Sequence, residues 1–157
     1  MTNGELQRDI RTVEKIYEIV KSEFDFILNI DTGHAQRAAT VFSFSGVILS
    51  IAFALYPRGI PFVPLFITGV CVICASLVLS FFAIKTWKIR GGPTPRVLAR
   101  KYVDADYESV LRQVISVLID ALTYNKKKAF MRGLIVDWAL VCVVVGVIFL
   151  ASSVLVN

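Results

Sequence analysis

The sequence has very little of what most enzyme active sites need. Its 157 residues include a single histidine, His34, so it has neither a Ser/His/Asp triad nor a zinc-binding H-E-x-x-H motif. It also lacks a P-loop and a G-x-G-x-x-G nucleotide fingerprint. We therefore expect a protein that is not an enzyme and that has no metal site and no cofactor.

Cysteine is scarce as well, with three residues that all lie in apolar surroundings. Cys71 and Cys74 match the C-x-x-C pattern in spacing, but no second pair of ligands accompanies them. Together with Cys142 they are interpreted as small apolar packing residues.

Charge is missing from three long stretches. Residues 38–57 and 59–84 contain no charged side chain, and residues 133–156 contain only Asp137. A helix needs about 20 apolar residues to cross the hydrocarbon core of a bilayer, and each stretch is long enough. Hydrophobic residues make up 56% of the chain, which is high for a soluble domain. The sequence predicts an all-α integral membrane protein with three transmembrane helices over about 38–56, 61–85 and 133–156.

Basic residues are divided unevenly among the connecting segments. Five precede the first apolar stretch and eleven lie within 85–132, whereas Arg58 alone separates the first two stretches and none follows the third. The positive-inside rule then predicts a multi-pass membrane protein with a cytoplasmic N-terminus and the C-terminus outside. The net charge of +5 indicates contact with anionic inner-leaflet lipid rather than with a nucleic-acid polymer.

Two amphipathic segments adjoin the apolar stretches. Residues 5–30 repeat apolar side chains with coiled-coil heptad spacing, and residues 106–128 carry a similar stripe. We expect two cytoplasmic helices that pack together, in a single membrane domain of residues 1–157 whose cytoplasmic layer comprises 1–36 and 86–130. A helix lying on lipid is an alternative for the first segment. Asp31-Thr32-Gly33 is a possible break before the first span, although a continuous helix is also compatible with the sequence.

Small residues recur along one face of the first span. The series Gly46-x-x-x-Ser50-x-x-x-Ala54 is typical of faces where helix backbones approach closely in lipid. One interpretation is a pore-lining or oligomer face, and the other is packing within a hairpin of spans one and two. The candidate residues are Thr40, Ser43, Gly46, Ser50 and Ala54.

Asp137 is the one charge inside the third span. An intramembrane carboxylate is costly, so it points either to a structural ion pair or to a function. Lys85 lies at the inner end of the second span and Arg37 at the inner end of the first, at a similar expected depth, so these two are the expected ion-pair partners. The functional alternative is a gating charge in an oligomer.

Two basic groups could contact anions. The first surrounds Gly91-Gly92, where exposed backbone N–H groups and guanidinium groups could hold a nucleotide phosphate. The second directly precedes the third span and is suited to inner-leaflet lipid. The residues are Arg90, Arg96, Arg100 and Lys101 in the first group, and Lys126, Lys127 and Lys128 in the second.

The order of these segments resembles a known family. An N-terminal helix leads into "IDTGHAQRAATVFSFSGVILS", and a loop leads through "DADYESVLRQVISVLIDALTYNKKKAF" into the last span. This resembles the SLATT-like and Pycsar-type small transmembrane effectors of bacterial nucleotide-signalled defence. Asp31 matches the Asp that opens the first span in many of them, whereas Gly33 stands where they have Lys. The resemblance implies an antiviral oligomer that disrupts the inner membrane when a cytoplasmic nucleotide signal arrives.

Two functions are therefore expected as alternatives. The first is an oligomeric membrane effector or channel-like protein, pore-forming or ion-conducting, that is triggered through its cytoplasmic helices. The second is a non-catalytic accessory or scaffold subunit of a larger membrane complex, which binds a protein partner through the heptad helix. A homo-oligomer favours the first function, and a chain that co-purifies with another subunit favours the second.

Overall fold

The computed structural model describes residues 3–55, 62–85, 88–92 and 106–155. These residues form three α-helices and no strand: α1 (Asn3–Leu55), α2 (Val63–Ile84) and α3 (Tyr107–Leu155). Each helix contains a segment long and apolar enough to cross a membrane. The all-α class and the three apolar helices predicted from the sequence are therefore confirmed, and they are consistent with a membrane-spanning protein.

The two amphipathic segments are not separate helices, contrary to the prediction. Residues 5–30 belong to α1, which continues through Asp31-Thr32-Gly33 without a break, and residues 106–128 belong to α3 apart from Asp106 at its start. A glycine inside a helix costs only about 1 kcal/mol relative to alanine, so Gly33 alone does not end α1. The described residues form three long helices where the sequence predicted three spans and two additional helices.

The chain divides into two compact units. Unit 1 comprises Met1–Ile30 and Trp87–Ala129, and unit 2 comprises Asp31–Thr86 and Phe130–Asn157. In unit 1 the apolar stripes of the two amphipathic segments face each other. Phe24, Leu118 and Ala121 are buried there, and five half-buried side chains pack against them: Tyr17, Val20, Leu28, Val114 and Leu122.

A polar contact also joins the start of α3 to α1 within unit 1. The Tyr107 hydroxyl donates to Glu14 Oε1 at 3.1 Å. This hydrogen bond is the largest of the effects that raise the pKa of Tyr107. A small desolvation and the negative charge of Glu14 raise the pKa further, because all three effects favour the neutral phenol. The exposed pair fixes the register of the two helices at this point.

In unit 2 the three helices pack through narrow faces of small residues. The buried side chains of α1 recur every three or four residues, which places them on one side of the helix. They are Ala38, Val41, Ser45, Leu49 and Ala52. The buried residues of α2 are Phe66, Gly69, Ile73, Ser76, Ser80 and Ala83. Serine and glycine in these faces allow close approach of the backbones, which is how helices pack in lipid.

α2 and α3 come close together at two glycines. A Cβ added to Gly146 would lie 2.5 Å from Ile73 Cδ1 and 3.2 Å from the Gly69 carbonyl oxygen. A Cβ added to Gly69 would lie 2.9 Å from Leu150 Cγ and 3.1 Å from the Gly146 carbonyl oxygen. A side chain at either position would crowd Ile73 or Leu150 and press on the backbone of the other helix, so glycine at both positions favours this contact.

Candidate functional site

A buried ion pair joins α1 to α3 in unit 2. Arg132 Nη1 donates to Asp31 Oδ2 at 2.5 Å and to the Asp31 carbonyl oxygen at 3.3 Å. The side chains are 5% and 9% exposed for Arg132 and Asp31, respectively. The pair is therefore withdrawn from water, and each charge compensates the other.

The same guanidinium group also reaches the end of α2. Arg132 Nη2 donates to the carbonyl oxygen of Lys85, the residue that caps the C-terminus of α2. The last carbonyls of a helix have no partner within it and carry the negative end of its dipole, so they attract a cation. One arginine side chain of α3 therefore binds groups of both α1 and the end of α2.

His34 lies one turn after Asp31 and packs against Gly133, the residue that follows Arg132. A Cβ added to Gly133 would lie 2.9 Å from His34 Cε1 and 3.0 Å from Nε2. The imidazole is half-buried here, and the absence of a side chain at Gly133 makes room for it. The sole histidine therefore lies beside Gly133, the residue that follows Arg132 of the ion pair.

A second polar contact lies among the apolar faces of the three helices. Ser76 Oγ donates to the Ala139 carbonyl oxygen at 2.9 Å and lies 3.2 Å from Ser45 Oγ. The Ser45 hydroxyl also lies 2.8 Å from the Val41 carbonyl oxygen. Each such bond between helices contributes about 1 kcal/mol in a membrane protein. These hydroxyls link α1, α2 and α3 but form no continuous polar path.

Apolar layers close the space between the three helices. Ala38, Ala83 and Val136 form a cluster in which none is more than 1% exposed. Ile73, which is fully buried, fills the space beside Gly146. A water-filled channel through the middle of unit 2 would need these layers to separate.

The small-residue series predicted from the sequence lies on the outside of α1. Thr40, Ser43, Ser50 and Ala54 are exposed, and a Cβ added to Gly46 would meet nothing within 4 Å. The three hydroxyls donate to carbonyl oxygens of their own helix, at 2.9–3.1 Å. Packing within the chain, one of the two interpretations of this face, is therefore wrong, because Ala38, Ser45 and their neighbours make that contact instead. We call the five residues of the series the outer α1 face.

Asp137 is exposed on α3, on the same side as the exposed Val141 and Val144. Within the described part of the chain it forms no ion pair with Lys85 or Arg37, whose side chains are also exposed. The expected ion pair of Asp137 with Lys85 or Arg37 is thus not found among the described residues. The buried pair uses Asp31 and Arg132 instead, because these two side chains lie on the packed faces of their helices.

The two basic groups predicted to contact anions are only partly described. Arg96, Arg100 and Lys101 lie outside the described residues. Arg90 and Lys128 approach the same aromatic ring, that of Tyr124, whereas Lys126 and Lys127 are exposed on α3. No group of three or more His, Cys, Asp or Glu side chains that could hold a metal ion occurs among the residues with described positions.

Comparisons with protein-family models, with curated proteins and with solved structures give no match to this chain.

Proposed function

We propose that the protein is an oligomeric membrane protein that opens a path between its copies when its amphipathic segments receive a signal. The observation that carries this proposal is the outer α1 face, which holds Thr40, Ser43 and Ser50 exposed in a helix apolar enough to span a membrane. Small and hydroxyl-bearing residues favour helix–helix contact in lipid, since they let two backbones come close. A second copy would give this face a partner.

Asp137 supports the same proposal independently. A carboxylate at the middle of a spanning helix costs about 2.5–3.5 kcal/mol when it faces lipid, and less near the interface. Asp137 is exposed and has no ion-pair partner within the described residues. A neighbouring copy or a water-filled path would remove this cost.

The path would lie between copies rather than inside one. The apolar layers of Ala38, Ala83 and Val136 and of Ile73 and Gly146 fill the space between the helices of one chain. Thr40, Ser43 and Ser50 are the candidates for lining positions, and Asp137 is the candidate for a gate charge.

Opening would involve the Asp31–Arg132 ion pair. This pair joins α1, α3 and the end of α2, so the three helices cannot separate there while it holds. We infer that a shift in the layer of residues 1–36 and 86–130 weakens these bonds and lets the spans rearrange. By resemblance to nucleotide-signalled defence effectors, the signal would be a cytoplasmic nucleotide, and the effect would be loss of the inner-membrane barrier.

The alternative function, an accessory subunit that binds a partner through its heptad stripe, has less support. Val13, Phe24 and Ile27 of that stripe are buried within the chain, and Phe24 packs against Leu118. A partner would have to use the remaining exposed side chains, such as Ile16 and Ile19.

The proposed orientation has a cytoplasmic N-terminus and an external C-terminus, following the distribution of basic residues. An alkaline phosphatase domain fused after Asn157 should then be active, because this enzyme folds only outside the cytoplasm. The same domain inserted within residues 93–105 should be inactive. The opposite pair of activities would contradict the orientation.

A flux measurement tests the proposed function. The purified full chain would be reconstituted into vesicles loaded with a small fluorescent anion. Arg132→Lys keeps the positive charge but loses the fork that binds both Asp31 and the Lys85 carbonyl, so we expect it to raise the leak rate at least about tenfold.

Arg112→Lys is the matched control, because Arg112 forms an exposed ion pair with Glu108 within one helix. This control should leak like the wild type. If folded Arg132→Lys protein leaks no faster than wild type and control, the proposed opening mechanism is wrong.

A further inference from the structure

Arg37 and Asp137 carry opposite charges and are both exposed, on α1 and α3 of unit 2. Neither forms an ion pair among the described residues. Asp137 lies four residues beyond the start of the apolar stretch at residue 133, where an isolated carboxylate is costly if it faces lipid. It therefore needs a cation that the described part of its own chain does not bring to it.

These two charged residues lie at nearly the same height in unit 2. Ala38 and Val136, their neighbours in sequence, are buried in one cluster. About one turn earlier on both helices, His34 packs against Gly133. The two contacts follow each other in the same order along α1 and α3, so the helices run parallel here. The acidic residue therefore lies only about 3 Å beyond the basic one along the helix axis, at about 1.5 Å per residue.

The charged side chains do not meet inside one chain because of their rotation about the helix axes. A helix turns by about 100° per residue, so each charged side chain is rotated away from the buried neighbour beside it. Ala38 and Val136 face the packing of the three helices, whereas Arg37 and Asp137 lie outside it. Two copies can bring together what one chain keeps apart.

A ring of copies preserves the height of every residue. Its symmetry axis is perpendicular to the membrane, so it moves a residue sideways but neither deeper nor shallower. Arg37 of one copy can then reach Asp137 of the next copy, because the two lie at nearly equal height in each chain. Every copy offers one charge of each sign, so the contact is head-to-tail and repeats until the ring closes.

We propose that Arg37 of one copy and Asp137 of the next form an ion pair that joins neighbouring chains through α1 and α3. The proposal rests on the oligomer proposed above and names the helix that the neighbouring copy presents to α1. Arg37 precedes Thr40 of the outer α1 face by three residues, so the two are neighbours on the helix surface. In apolar surroundings the attraction exceeds that in water, and the planar guanidinium group can bind both carboxylate oxygens.

Lys85 is another exposed cation near this height, since it follows Ala83 of the same buried cluster by two residues. It belongs to the C-terminal cap of α2 and not to the helix that carries the outer α1 face. Its ammonium group binds a carboxylate as a point charge, without the fork of an arginine. Arg37 is therefore the favoured partner, and the experiment has to separate the two cations.

Charge reversal in the full-length chain tests the proposal, with association measured in mild detergent. Arg37→Asp or Asp137→Arg alone places like charges opposite each other at every contact between identical copies. Each variant should therefore associate at least about tenfold more weakly than the wild type. When the two variants are mixed, alternating copies place opposite charges at each contact between them. Differently tagged chains of the two variants should then co-purify as efficiently as two tagged wild-type populations.

Lys85→Asp is the matched control, because it reverses an exposed charge near the same height and keeps the backbone carbonyl that Arg132 binds. Alone it should associate like the wild type, and mixed with Asp137→Arg it should restore nothing. Circular dichroism would establish that each variant is folded. Both reversed positions of the pair are exposed in the single chain, so we expect the fold to persist.

Two results would overturn the ion pair while leaving the oligomer in place. One is a wild type that associates together with a mixture that does not, or that does so only with Lys85→Asp in place of Arg37→Asp. The other is unchanged association of the single variants, because a lipid headgroup or water would then compensate Asp137. Wild-type chains that do not associate would overturn the proposed oligomer and the pair together. A failure of the flux measurement alone would leave the pair intact.

Discussion

Replacing Arg132 by methionine is expected to lower the free energy of unfolding by about 3–5 kcal/mol. The change leaves the Asp31 carboxylate buried without its counter-charge, and it removes the hydrogen bond to the Lys85 carbonyl oxygen. Methionine fills a similar volume, so the loss would reflect charge rather than a cavity. For a chain of this length the midpoint of thermal unfolding should fall by roughly 10 °C.

Thermal unfolding of the purified chain in detergent, followed by circular dichroism, measures this effect. Arg112→Met is the control, because the exposed Arg112–Glu108 pair lies within one helix and such pairs contribute about 0.5 kcal/mol or less. The double variant Asp31→Leu with Arg132→Met should recover most of the loss, since no unpaired charge remains. The account of the ion pair is wrong if Arg132→Met is no less stable than Arg112→Met.

Replacing Gly46 by leucine should abolish association of the chains while leaving each chain folded. A Cβ at this position meets nothing within 4 Å in the isolated chain, so the larger side chain causes no internal clash. Between two copies it would separate the outer α1 faces and remove close backbone contact. We expect the oligomer to dissociate at least about tenfold more readily, and the leak of the Arg132→Lys variant to return to the wild-type rate.

Two other glycines provide controls for Gly46. Gly33 also has open space around it but lies outside the outer α1 face, so Gly33→Leu should leave the particle mass unchanged. Gly146→Leu should unfold or loosen the chain itself, because its first side-chain atom would overlap Ile73. Light scattering of the detergent-solubilised variants gives their masses. Unchanged association of Gly46→Leu would mean that another face joins the copies.

The sequence predicts the spanning helices well because bilayer thickness sets their length and composition. It predicts helix boundaries less well, since Asp31-Thr32-Gly33 has the residues of a break. The carboxylate of Asp31 is instead held by Arg132, and α1 continues. The local sequence was compatible with both a break and a continuous helix, so it did not decide between them.

The Asp31–Arg132 ion pair was likewise not predictable from the local sequence. Asp137 stands out in the sequence because it lies inside an apolar stretch, whereas Asp31 and Arg132 lie among other charges at the ends of such stretches. Their pairing depends on the rotation of two helices about their axes, which is set by packing of all three. Similarly, the spacing of Gly46, Ser50 and Ala54 indicated a close contact, but among the described residues Gly69 and Gly146 make a close helix contact and Gly46 does not. Gly69 and Gly146 lie in different spans, and local spacing does not pair them.

Imaging of the wild-type particle in lipid nanodiscs tests the central claim most directly, namely that copies associate through the outer α1 face. The account predicts a closed ring with a mass that is a multiple of 17.4 kDa, in which Ser43, Gly46 and Ser50 face a neighbouring copy or the central axis. A single chain of 17.4 kDa, or a ring in which the outer α1 face contacts only lipid, would contradict it.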